Sequence, residues 1–169
     1  MAKATLLSAE EYLRTSLSPD CDYVDGELEE RNVGEFQHAR VQARLTAYFF
    51  AREKQWSIVV APELRVQVTK HRYRVADFCV LSQGHAIEEV IQTPPLLVVE
   101  ILSPEDRVSR TEERIEDYLA IGVPYVWLID PTSRRAWVYT PGQRTEAREG
   151  MLHANPPIEM PLAELFVEA

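Results

Sequence analysis

The chain has 169 residues, 46% of them apolar and 27% charged, a composition that excludes a disordered protein. Its length predicts one domain over residues 1–169, with enough chain to bury a real core. The formal charge of −9 excludes the broadly basic surface that coats nucleic acid without specificity, and no apolar run approaches bilayer-spanning length.

Met1 to Glu10 carries one Lys and the short apolar pair Leu6-Leu7, which is no secretory signal, so a cytoplasmic location is expected. The S-x-x-E box from Ser8 to Glu11 opens a short helix through Thr15, which Ser18-Pro19-Asp20 breaks. Asp22 to Arg31 reads as two short strands about an Asp25-Gly26 turn. Glu35 to Gln55 is predicted as one long helix, with Ala39, Leu45 and Phe49 turned to the core.

Trp56 to Val60 and Glu63 to Thr69 are predicted as two strands, followed by a returning strand from Arg74 to Leu81. A loop from Ser82 to Pro95 leads into the apolar run Leu96 to Ile101, a central strand covered on both faces. Ser109 to Ile121 is an amphipathic helix ended by Gly122. Tyr125 to Ile129 is a buried strand, expected parallel to the run at Glu100, and Arg135 to Tyr139 an edge strand. The proline-containing tail ends in a helical turn at Ala163 to Phe166. The fold class is α/β of the α+β kind, a mixed central sheet flanked by helices.

Cys21 and Cys79 have neither C-x-x-C spacing nor a His at metal spacing, so no zinc site is expected. Cys21 reads as a surface or edge thiol and Cys79 as core. Asp77 and Glu100 each interrupt a buried apolar run, where a carboxylate is costly unless paired, protonated or bound to metal. Two readings stay open. Either each acid pairs with an arginine, such as Arg74 or Arg107, or the two share one divalent cation. His38 reads first as a packing or hydrogen-bonding residue, and Tyr118 and Trp127 as core. Arg107, Arg110 and Arg114 are either a solvated helix face or a phosphate-contacting stripe.

From Glu10 to Phe166 the chain resembles the Uma-type restriction-endonuclease family of the PD-(D/E)XK superfamily. The resemblance rests on Asp25-Gly26-Glu27, His38 and Val75-Ala76-Asp77. It rests above all on Val98-Val99-Glu100-Ile101-Leu102-Ser103-Pro104, Tyr118, Gly122-Val123-Pro124 and Trp127-Leu128-Ile129-Asp130-Pro131. It implies a restriction-endonuclease-like fold, with Asp77 and Glu100 as catalytic acids holding Mg²⁺ (or Mn²⁺), and Glu27 as a further acid near the site. The metal would activate water against a phosphodiester of DNA. Ala76 replaces the Pro of the motif and Leu102 its Lys. The position where the family moves that Lys is Arg114, and Arg110 stands where it has an Asp. None of the three lysines, Lys3, Lys54 and Lys70, is placed to serve the site.

A guanidinium can bind phosphate but cannot act as a neutral base. The expectation is therefore a Mg²⁺-dependent DNA endonuclease weakened at Arg114, a homodimer suited to cutting two antiparallel strands. The alternative is a catalytically inactive nuclease-fold module that binds nucleic acid or protein.

Overall fold

The computed structural model describes residues 6–32 and 35–166; Lys3 and the first part of the N-terminal segment lie outside them. Helix α1 (Ala9–Arg14) carries the expected capping box. Glu11 N–H donates to the Ser8 hydroxyl at 3.2 Å, and Ser8 N–H donates to the Glu11 carboxylate at 2.9 Å. Strands β1 (Asp22–Val24) and β2 (Glu27–Glu29) form the hairpin about Asp25 and Gly26. Both turn residues have positive φ, 50° and 101°, as a two-residue turn matched to strand twist requires.

Helix α2 (Phe36–Phe50) buries His38, Val41, Leu45 and Phe49, spaced three, four and four residues apart on one side. Ala39 lies off that stripe and is exposed, contrary to expectation. Nor does one helix reach Gln55. The Arg52 N–H bonds to the Phe49 carbonyl three residues back, the chain turns, and the short α3 (Glu53–Trp56) follows. The turn lets Trp56 fold back onto the Phe49 ring, with centroids 5.6 Å apart.

Strands β3 (Ile58–Thr69) and β4 (Arg72–Ser82) make a long antiparallel hairpin. The two strands expected from Trp56 to Thr69 are thus one, because β4 runs unbroken beside both halves. They meet at Glu63, where φ is 55°. Within the expected loop, β5 (Val90–Ile91) adds a short parallel pairing to β3. Strand β6 (Leu97–Ile101), helix α4 (Val108–Ala120) and strand β7 (Val126–Asp130) form the expected β-α-β unit, its two strands parallel. Strand β8 (Arg135–Thr140) is not an edge, because β9 (Gln143–Glu146) pairs outside it. A separate small ribbon, β10 (Met151–His153) with β11 (Glu159–Pro161), precedes α5 (Leu162–Leu165).

The result is a mostly antiparallel mixed sheet with helices on its faces. On one face Phe49 of α2 meets Phe78, Trp127 and Leu152. On the other, Ile115 and Tyr118 of α4 meet Val98, Val126 and Leu128. Cover on both faces explains why β4 and β6 are nearly continuous apolar runs. Cys79 is fully buried, and Cys21, expected as a surface or edge thiol, is also buried, its carbonyl accepting from the Tyr12 hydroxyl at 2.9 Å.

The sheet branches at β4. Strand β3 pairs along the whole of one edge of β4, while β1 and β6 divide the other edge. β1 takes Arg72 and Tyr73, and β6 takes Phe78 to Val80. Between them, residues 74–77 face a fork with no strand beside them.

Candidate active site

Backbone polar groups left in a fork need partners, because an unpaired buried N–H or C=O costs about as much as a lost hydrogen bond. Side chains supply them. The Asp22 carboxylate accepts the Val75 N–H at 2.8 Å, and Arg114 Nη2 donates to the Val75 carbonyl at 2.9 Å. Gln42 of α2 donates to the Asp77 carbonyl at 2.9 Å. From the other branch, the Ile101 N–H donates to Asp77 Oδ2 at 2.8 Å, so a side chain stands where the ladder would have continued. The polar residues here are consequences of the split sheet.

The β4–β6 register, carried one residue past Phe78↔Val99, sets Asp77 opposite Glu100. Both are buried and both line one cavity of about 260 Å³. Around them, charges alternate. Arg31 reaches in from beyond β2 and forms an ion pair with Asp77, while donating to Glu63 at 2.6 Å. His38 Nε2 stands 3.4 Å from Asp77 Oδ2. Arg114 pairs with Glu100 at 2.7 Å and with Asp22 at 2.6 Å. The Tyr118 hydroxyl donates to Glu100 Oε1 at 2.9 Å. Behind this layer the buried Arg74 ties Asp22, Glu29, Glu113 and Asp117 together.

The two central acids are set apart by these neighbours. Burial pushes Asp77 up, but the hydrogen bond from His38 and the charge of Arg31 outweigh it and hold the carboxyl below its ordinary range. Glu100 is pushed up to about 7, by burial first and by the nearby Asp77 charge, against the pull of Arg114. Burial lowers His38, yet its hydrogen bond to Asp77 and the Asp77 charge carry it above the ordinary histidine value. The site therefore presents a firm anion at Asp77 beside a carboxyl, Glu100, that holds its proton up to about 7.

Of the residues expected at the site, Asp77, Glu100 and Arg114 come together; Glu27 does not. It is exposed and pairs with Val24 next to the hairpin turn. It lies two residues along β2 from Glu29, a displacement of about 6–7 Å toward the turn. Asp22 and Glu29, facing each other across the hairpin, line the cavity instead. The arginines that pair with the central acids are Arg31 and Arg114, not Arg74 or Arg107. Tyr118, expected to be core alone, is core with its hydroxyl spent on Glu100; it lies one helical turn after Arg114, on the same face of α4. The buried stripe of α2 already placed His38 inward. Nothing local in the sequence marks Asp22 or Arg31.

Arg107 and Arg110, by contrast, are exposed at the cavity mouth, and among the described residues neither side chain forms an ion pair. A divalent cation would find the right donor type here, since Mg²⁺ takes carboxylate oxygens plus water and phosphate. Asp77 and Glu100 are those carboxylates, and each carboxylate oxygen of the pair already accepts from a protein donor. No three His, Cys, Asp or Glu among the described residues surround one point as a ready cation cage. The residues thus fit the ion as a pair of carboxylates, provided that Arg31 yields its place on Asp77.

A family model described as "Putative restriction endonuclease" matches residues 9–165. Among solved structures, the chain is similar to a crystal structure from Anabaena variabilis ATCC 29413, of "a putative nuclease belonging to DUF820". The TM-score is 0.82 and the identity 22%, covering 95% of this chain and 97% of that one, so the two share a fold. No functionally curated protein matches the chain.

Proposed function

With 9–165 matched, the chain belongs to the Uma2 family of restriction-endonuclease type, and on that premise we propose that it is a metal-dependent endonuclease acting on DNA. The observation that carries the reading is the setting of Asp77 opposite Glu100 in a cavity also lined by two exposed arginines that form no ion pair among the described residues. Asp77 and Glu100 would hold Mg²⁺ or Mn²⁺, and the ion when bound supplies Lewis-acid chemistry and a water of lowered pKa.

The chain's own residues do the rest. Arg107 and Arg110 draw a phosphodiester to the mouth, as a positive pair on an otherwise acidic molecule. His38, raised by its hydrogen bond to Asp77 and by the Asp77 charge, is the group at the cavity base that can carry a proton beside the carboxylates. Arg114 cannot take a proton and holds Glu100 in place through Nε and Nη2. Tyr118 fixes the other oxygen of the same carboxylate.

A second reading has its own observation. Arg31 and Arg114 already neutralise both acids, which suits a nuclease-fold module that binds without cutting. Plasmid incubated with purified protein and Mg²⁺ or Mn²⁺ separates the two. Metal-dependent nicking that chelator, Asp77→Ala and Glu100→Ala each abolish supports the enzyme. Retarded but intact plasmid under all conditions supports the binding module.

A further inference from the structure

The side of α2 turned away from the sheet carries a second apolar stripe that nothing described covers: Phe36, Ala39, Ala43, Ala47 and Phe50. All five are exposed, Phe36 by 78% and Phe50 by 66%. Two phenylalanines on one helix face are costly to leave in water. The order of the stripe is as telling as its exposure. Its spacings are three, four, four and three, with a large residue at each end and alanines between, so it reads the same in both directions about Ala43.

A palindromic face has one natural complement, itself turned end for end. In an antiparallel pair centred on Ala43, Phe36 meets the partner's Phe50, Ala39 meets the partner's Ala47, and Ala43 meets its own copy. Small residues along the middle let two helix backbones approach closely. Between the stripe and Pro62 lies an open groove of about 410 Å³, walled by Ala39, Ala43, Ala47 and Phe50 themselves. Gln42 and Thr46 are its other distinctive walls, and it contains no charged side chain. Arg40, exposed at the border of the stripe, would lie opposite the partner's Thr46 in that arrangement, so like charges do not meet, and a self-complementary face is what a two-fold interface requires.

We propose that α2 pairs with α2 of a second copy of this chain, antiparallel and crossing at Ala43. The helix has 15 residues. At about 1.5 Å per residue it is ~22 Å long. Its exposed face therefore offers a few hundred Å² per protomer, below the ~800 Å² of a standard stable interface. The pair is accordingly weak and concentration-dependent. His38 lies on the opposite side of α2, so the contact leaves the cavity open.

The test reads mass, not cleavage, so it can fail while the nuclease reading stands, and the reverse. Ala43→Cys places two thiols at the crossing, within the ~3.8 Å Cβ separation that a disulfide needs. Both native cysteines are buried, so wild type serves as the blank. The expected results are concentration-dependent dimer on sedimentation of wild type and a covalent dimer from oxidised Ala43→Cys. Gln37→Cys, on another side of the helix, should give none, and Ala43→Glu should give a monomer with unchanged circular dichroism. Wild type that stays monomeric up to about 1 mM overturns the proposal. So does a wild-type dimer whose Ala43→Cys form does not cross-link.

Discussion

At the scale of single residues, the site is held by side chains that replace missing strand contacts, so its mutants should lose stability as well as activity. Asp77→Ala removes the acceptor of the Ile101 N–H and the partner of the buried Arg31. Breaking a buried pair costs about 3–5 kcal/mol, and urea unfolding should register a loss of that order. Arg114→Lys exchanges the guanidinium for an ammonium. It cannot reach Glu100, Asp22 and the Val75 carbonyl together as the guanidinium does. A loss of about 1.5–3 kcal/mol in the same measurement is expected, the usual worth of a hydrogen bond to a charged group.

The acid–base shifts give a pH signature. The folded chain holds the Glu100 proton up to about 7, against an ordinary 4.5, so stability falls as pH rises through that window. His38 is raised, so its contribution is whole below 6.5 and is lost as pH climbs through the folded value. Asp77 is lowered from 3.8, and its contribution changes only at more acid pH. The urea midpoint should therefore decline as pH rises from 4.5 to about 7 and further as the raised His38 loses its proton, and Glu100→Gln should flatten the lower part of that decline.

At the scale of elements, α2 is anchored by one aromatic. Phe49 is fully buried, with Trp56, Phe78 and Trp127 within 5.4–5.9 Å between ring centroids. Phe49→Ala should cost about 3–5 kcal/mol, the range for deleting a buried aromatic. Ala39→Ser, on the exposed side of the same helix, should change stability by no more than ~0.5 kcal/mol. Equilibrium unfolding of the two variants checks the orientation of the helix directly. The α2–α3 break has the same origin, because a continuous helix could not return Trp56 to the Phe49 ring.

At the scale of the whole molecule, a charge of −9 makes any nucleic-acid contact local. Arg107 and Arg110 are the exposed cations at the cavity mouth. If each meets a phosphate, replacing both with alanine should weaken DNA binding. It should also reduce the slope of log K against log salt by about 1.8, at roughly 0.9 per phosphate. Fluorescence anisotropy across a salt series measures both, and an unchanged slope would place the DNA elsewhere.

Local pattern was enough for much of this protein. The capping box at Ser8, the Asp25-Gly26 turn, the Glu100 strand with its following helix, and the buried carboxylates at Asp77 and Glu100 are all written within a few neighbouring residues, because hydrogen-bond caps, turn dihedrals and apolar periodicity are short-range. The restriction-endonuclease type of fold and family followed from the same stretches, above all Val98 to Pro131. The rest depends on contacts between residues far apart in the chain. Arg31 meets Asp77 across 46 positions and Asp22 meets Arg114 across 92. No period or spacing encodes such distances. They arise because β1 and β6 share one edge of β4, and the backbone exposed in that fork must be satisfied by whatever side chains the surrounding elements bring. The same fork excluded Glu27, two residues too near its own turn, and drew in Asp22 and Glu29. Sequence established that buried acids exist; only the branching of the sheet decided which cations and hydrogen-bond donors would surround them.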